Sequence, residues 1–235
     1  MQQLLKELFE EYSIPYTQDM LERLDIYYNF VIEENKKFNL TAITEKNDFA
    51  IKHILDSCLP YNMLPVNAKI IDVGAGAGFP SIPLKIIRPD LNLTMLDSLN
   101  KRVNFLNECV SKLGLTGAVA IHSRAEDFAL KNRESFDIAI ARAVASLDTL
   151  SEYCLPFVKV GGCFVALKGS SYDEELQKAN YAIDVLGGSI KDIQKISLPN
   201  TEGQRANIKI QKVKPTPNKY PRGKNLPRLK PLNNN

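Results

Sequence analysis

The sequence predicts an α/β fold, a mostly parallel seven-stranded sheet with its last strand antiparallel, preceded by an N-terminal helical extension. Three observations carry this expectation. From residue 69 onward, short apolar runs rich in β-branched residues alternate with amphipathic stretches of helical period. The first run ends in a glycine-rich turn, IDVGAGAGFP, that leads straight into a helical stretch. The last two runs are separated by a loop too short for a helical crossover, so they should pair antiparallel.

Taken in order, residues 1–65 read as a helical region. Leu4, Leu5, Leu8, Phe9 and Tyr12 recur at helical spacing until Pro15 breaks the pattern. A second amphipathic helix is expected over about 17–37 and a third over about 47–58, closed by Pro60 and Pro65. Residues 66–213 form the α/β domain. Its strands are expected at 69–73, 92–96, 118–121, 136–141, 162–167, 190–197 and 206–212, and its helices at about 80–88, 101–113, 147–157 and 173–186. Residues 214–235 are a tail with five prolines and six Lys/Arg. Such a segment is expected as an extended arm or a disordered one, with no packed helix.

Composition sets limits on function. No stretch approaches the ~20 apolar residues of a membrane span, and charge from Lys6 onward does not suit a signal peptide, so a cytoplasmic protein is expected. Cys58, Cys109, Cys154 and Cys163 stand singly beside only two histidines, which predicts buried reduced thiols and no metal site. The net charge of +3 hides an asymmetry: nine Lys/Arg and no Asp/Glu follow Glu202, leaving 21 basic against 27 acidic residues before them. An acidic body with a basic end points to a polyanionic partner.

The glycine-rich turn is the most informative stretch. Gly74, Gly76 and Gly78 alternate after a buried strand that carries Asp72. Missing side chains let a ligand lie against the backbone, and Pro80 suits the first helical position, where free N–H groups can face a polar group. A dinucleotide site would read G-x-G-x-x-G, whereas here the third glycine comes one residue early. This G-x-G-x-G resembles the first motif of S-adenosylmethionine-dependent methyltransferases. Asp97, at the end of the second strand, is placed to accept from ribose hydroxyls. After the third strand, the Ala125 N–H and the Glu126 carboxylate are placed to meet an adenine ring. Asp97 and Glu126 also suit helix caps.

Seven segments together carry a fuller resemblance: KFNLTAI (37–43), HILDSC (53–58), IDVGAGAGFPSIPLKI (71–86), LDSLNKRVNFL (96–106), SRAEDF (123–128), FDIAIARAVA (136–145) and CFVALKG (163–169). Over nearly its whole length the chain resembles the RsmG (GidB) family of bacterial 16S rRNA guanine-N7 methyltransferases. The resemblance implies a class I, Rossmann-like methyltransferase that binds S-adenosylmethionine and methylates N7 of one guanine, position 527 of the rRNA. It implies cofactor contacts at Gly74, Phe79, Ala125, Glu126 and Arg142, to which the residue reading adds Gly76, Gly78 and Asp97. The family's Arg-His pair in the last strand is here Arg205-Ala206.

Guanine N7 carries a free lone pair, so no general base is expected, and Arg142 is expected to orient substrate or cofactor. Candidate RNA or substrate contacts are Asn39, His53, Lys168, Arg205, Arg222, Lys224, Arg228 and Lys230. The expected partner is 16S rRNA or the small ribosomal subunit; the sequence leaves the oligomeric state open, with a monomer favoured. A small-molecule methyltransferase and a non-catalytic ribosome-binding module remain as alternatives on sequence alone.

Overall fold

Along the strand expected at 136–141, Ile138 and Ile140 alternate with Ala139 and Ala141, and a pleated strand must send the two sets to opposite faces. In the computed structural model, which describes residues 1–233, the isoleucines enter one hydrophobic core and the alanines a second. The sheet between them comprises β1 (Lys69–Val73), β2 (Asn92–Asp97), β3 (Ala118–His122), β4 (Phe136–Arg142), β5 (Val158–Lys168), β6 (Gly188–Ile196) and β7 (Arg205–Lys212). Its order is β3-β2-β1-β4-β5-β7-β6. Strands β1 to β5 pair in parallel, and β7 runs antiparallel to both β5 and β6. The strand order reverses between β1 and β4, which opens a crevice beyond their carboxyl ends.

Helices α1 (Gln2–Glu11) and α2 (Gln18–Asn35) bury Leu5, Phe9, Leu24 and Tyr27 in the same core as Ile138 and Ile140. Thr17 starts α2 by accepting a bond from the Met20 N–H. Full burial of a side chain such as Leu24 contributes about 1.5–3 kcal/mol. Helices α3 (Lys46–Phe49) and α4 (Asp56–Cys58) are joined by a π-helical segment, Ala50–Leu55. Then come α5 (Ser81–Ile87), α6 (Asn100–Lys112), α7 (Ala125–Ala129), α8 (Leu147–Cys154), α9 (Tyr172–Val185) and α10 (Leu226–Leu229). Helices α8 and α9 cover the second core with Leu147, Leu150, Ala179 and Ile183. All four cysteines are buried and unbridged. No helix among the described residues is long and apolar enough to cross a membrane.

Four local expectations need correction. Helix α7, five residues long and too short to show a period, is additional to the expected helices. Strand β5 begins at Val158, because Gly161-Gly162 makes a bulge in the ladder instead of a turn before it. A Cβ at Gly162 would lie 2.3 Å from the Asp137 carbonyl oxygen, so only glycine lets β4 pass. Pro80 is the residue that caps α5, not its first helical residue. The tail does form a packed helical turn, α10, with Pro227 buried at its start, where a missing N–H costs nothing.

The rest of the tail is an extended arm laid along the second core. Thr216 and Tyr220 are buried, and the Arg133 guanidinium donates to both their carbonyls. The tail's last two residues, 234–235, lie outside the described residues.

Candidate active site

The site is built on the turn between β1 and α5. The N–H groups of Gly74 and Ala75 donate to the Leu96 carbonyl at the end of β2 (2.8 and 3.1 Å). The Gly76 N–H donates to Asp97 Oδ2 (2.9 Å), and the other oxygen of Asp97 accepts from the Leu99 N–H. Tyr27, fully buried on α2, donates its hydroxyl to the Ala77 carbonyl (2.6 Å). The N-terminal helices therefore hold the turn from behind. Donors at the start of α5 are used locally, with the Gly78 N–H on the Ala75 carbonyl and the Ile82 N–H on the Gly78 carbonyl.

The three glycines do different jobs. A Cβ at Gly76 (φ +60°) would meet nothing closer than the Gly74 oxygen at 3.9 Å, so its open side faces a cavity. At Gly74 a Cβ would lie 2.7 Å from Val144. Gly78 is not a ligand-facing glycine. A Cβ there would lie 2.5 Å from Ile82 and 3.1 Å from the Tyr27 hydroxyl, so the residue is small to let α5 and α2 close on the turn.

Two cavities meet over this turn. One, of about 270 Å³, is lined by Leu96, Ser123, Ala125, Glu126, Tyr153 and Asn225 among others. Its neighbour, of about 470 Å³, is lined by Thr41, His53, Gly76, Phe79, Arg102 and Arg142 among others. Gly74, Asp97, Ser98, Val144 and Arg228 line both. Asp72, although it precedes the turn, lines neither.

The second cavity carries a connected polar cluster. Arg142 Nη2 lies 3.0 Å from His53 Nδ1, and His53 Nε2 lies 2.7 Å from Thr41 Oγ1. A guanidinium only donates, so Nδ1 presents its lone pair and Nε2 carries the proton. Burial, then the charge of Arg142, lowers the pKa of His53 to about 3. The imidazole is thus neutral, and it stacks on Phe79 with centroids 4.2 Å apart. The Arg142 guanidinium sits 4.9 Å over the same phenyl ring. Its Nη1 donates to the Lys52 carbonyl and to Asp56 Oδ2 (3.0 and 2.9 Å). Ala143, next in the chain, is held at φ +55° as β4 ends in the cavity wall.

The remaining candidates divide. Asp97, Ala125 and Glu126 line the smaller cavity. Asn39 is exposed, and its neighbours Leu40 and Thr41 line the larger cavity in its place. Lys168 is not a surface cation: its Nζ is buried between Glu175 (2.6 Å) and the Ala145 carbonyl (2.9 Å). Arg205 Nε lies 3.0 Å from Asp56 Oδ1, a charge contact without hydrogen-bond alignment. Arg222 grips both oxygens of buried Glu152, so its charge is already neutralised. Lys224, Arg228 and Lys230 are exposed on the arm. Sequence reasoning missed Asn35, Thr41, Asp56 and Tyr27. Asn35 ties the loop by accepting from the Leu40 and Thr41 N–H groups. Asp56 and Thr41 lay inside the quoted HILDSC and KFNLTAI segments, a signal that was available. For Tyr27 there was none beyond helical period.

The same architecture occurs in known proteins. A methyltransferase from Aquifex aeolicus, described as dependent on SAM, aligns with TM-score 0.54 at 15% identity, covering 76% of this chain and 97% of its own. TYW2 from M. jannaschii, solved with AdoMet, aligns with TM-score 0.53 at 14% identity over 68% of this chain and 76% of that one. At such identities the likeness is one of fold, and the fold is that of class I methyltransferases. Sequence relatives are much nearer. The ribosomal RNA small subunit methyltransferase G of Desulforamulus reducens is 50% identical, covering 97% of both chains. Its counterpart in Lactobacillus johnsonii is 47% identical with the same coverage. The family model for rRNA small subunit methyltransferase G matches residues 20–205. With the fold, the crevice and these relatives in agreement, the chain belongs to the GidB family of rRNA small subunit methyltransferases.

Proposed function

We propose that this enzyme transfers the methyl group of S-adenosylmethionine to N7 of a guanine in 16S rRNA, position 527 in the family's substrate. The observation that carries the reading is the pair of cavities joined over Gly74–Ala77, with the open side of Gly76 facing the larger one. The residues present fit the cofactor. The smaller cavity offers apolar walls at Leu96 and Val144 and acceptors at Glu126 and Asp97, which suits a nucleoside. The larger cavity has room beyond the turn for an amino-acid portion and an incoming base.

When bound, S-adenosylmethionine supplies a methyl group on a positively charged sulfur. The protein's task is alignment. Glu126 and Ala125 would hold the adenine end and Asp97 the ribose, while Gly74 and Gly76 would let the ligand lie close to the backbone. Phe79, stiffened by His53 and Arg142, would give the ligand a flat wall in the larger cavity. Guanine N7 needs no proton removed, so the proposed transfer calls for no general base. His53 is neutral, and its Nδ1 lone pair already accepts from Arg142. Positioning of this kind can supply about 7–11 kcal/mol of a barrier.

Exposed Lys224 and Lys230 would add phosphate contacts whose strength falls steeply with salt. A ribosomal RNA substrate would place the reaction in the cytoplasm. The test uses purified enzyme, methyl-labelled S-adenosylmethionine, and 16S rRNA or small subunits from a strain lacking the modification. One guanine should acquire label and become cleavable at an N7-methyl site. Label on another atom or base, or none on rRNA, would overturn the reading.

A further inference from the structure

Five residues line both cavities, and four of them, Gly74, Asp97, Ser98 and Val144, follow strands β1, β2 and β4. The fifth is Arg228, on the C-terminal arm, beyond the residue 205 where the family match ends. Asn225, also on the arm, lines the smaller cavity. Its N–H lies 3.4 Å from Glu126 Oε1, and its side-chain oxygen accepts from the Tyr153 hydroxyl (3.2 Å).

The arm is fastened on each side of these residues. Upstream, Arg222 makes a two-pronged pair with Glu152, whose side chain is 1% exposed, and the Arg222 N–H bonds the same carboxylate. A carboxylate buried this deeply is costly unless paired, so the cation is held in place. Downstream, the buried Thr149 hydroxyl donates to the Pro227 carbonyl (3.1 Å), and Arg222 Nη2 reaches the Lys230 carbonyl (2.8 Å). Lys224 and Asn225 both adopt positive φ, which turns the chain sharply toward the cavity.

We propose that the arm is the outer wall of the S-adenosylmethionine pocket, with Arg228 as a cofactor-binding residue, Asn225 as a positioning residue for Glu126, and the Arg222–Glu152 pair as the clamp that holds the arm. The inference rests on S-adenosylmethionine being the cofactor. Arg228 lines both cavities where they meet, and the donors of a guanidinium suit the oxygen-bearing groups of that ligand. Asn225 sits against the carboxylate expected to accept from the adenine amine, so it orients that carboxylate. The arm then couples two surfaces. Its inner side completes the pocket, and its outer side carries the exposed Lys224 and Lys230.

The experiment is calorimetric titration of the full chain with S-adenosylmethionine, with thermal melts to show that each variant is folded. Arg228→Ala should weaken binding by about tenfold, the loss of one well-made charged contact. Arg222→Ala, which touches neither cavity, should weaken it similarly by loosening the arm. Lys214→Ala, an exposed residue of the same arm outside both cavities, should bind like the unmodified chain. Saturating S-adenosylmethionine should also slow tryptic cleavage between residues 222 and 230. Unchanged affinity in folded Arg228→Ala, an exposed site whose loss does not threaten the core, overturns the inference alone. Failure of the unmodified chain to bind overturns the functional reading and this inference with it.

Discussion

Asp72 is fully buried on β1, and among the described residues neither carboxylate oxygen has a well-formed hydrogen bond, only the proximity of Ser81. Burial raises its pKa from 3.8 to about 7. An acid whose native pKa is raised binds its proton in the folded chain at pH values where the unfolded chain has already released it. It therefore costs nothing below pH 3.8, costs increasingly through the interval, and costs most above pH 7, where roughly three pKa units amount to about 4 kcal/mol. Asp72→Asn keeps the shape and removes the ionisation. Its uncharged amide carries a pH-independent desolvation cost of about 1–3 kcal/mol. The informative quantity is the change with pH. Between pH 5 and pH 8 the stability of Asp72→Asn relative to the unmodified chain should rise by about 2–3 kcal/mol. Urea unfolding at a series of pH values measures it, and contributions from other titrating groups cancel in the difference. A stability difference that stays flat across this range would show that Asp72 has a partner or solvent access, and would refute the reasoning.

Other outcomes follow from the same geometry. Arg142→Ala leaves Asp56 facing only Arg205 and frees His53 Nδ1. It should destabilise the fold by about 3 kcal/mol and lower single-turnover methylation by about a hundredfold at saturating cofactor. His53, held neutral to about pH 3, binds no proton in the folded chain while the unfolded chain gains one below pH 6.5. It should withdraw about 2 kcal/mol of stability by pH 5, so His53→Gln should melt with a flatter acid limb. Lys168→Met removes the cation beside Glu175 at the start of α9, whose Oε2 keeps only the Leu147 N–H. It should cost about 1–3 kcal/mol by denaturation without altering the salt dependence of rRNA binding, whereas a phosphate contact would reduce that slope.

Much of the architecture was legible in the residues because it depends on local patterns. Strand runs and helical periods placed every strand and most helices within a few residues. The short loop before β7 announced its antiparallel course. The glycine-rich turn, Asp97, Ala125 and Glu126 could be read for a related reason. In a parallel α/β sheet, residues that follow successive strands converge on one edge. Arg142 was legible as the residue ending β4, but its partners were not.

What sequence alone determined was the order of elements, the crevice-forming turn and the chemistry available at the strand ends. Only tertiary structure decided which like residues do which job. Gly76 faces a cavity while Gly78, two positions on, is small because Tyr27 and Ile82 press against it. Of the cations assigned to RNA, Lys168 is paired with half-buried Glu175 and Arg222 with buried Glu152, while Arg228 lines both cavities. These outcomes turn on contacts between residues far apart in the chain: Tyr27 with Ala77, Glu152 with Arg222, and Arg142 with Asp56. A residue's type and spacing limit what it can bond, but burial and the nearest opposite charge decide what it does bond, and both exist only after the chain has closed on itself.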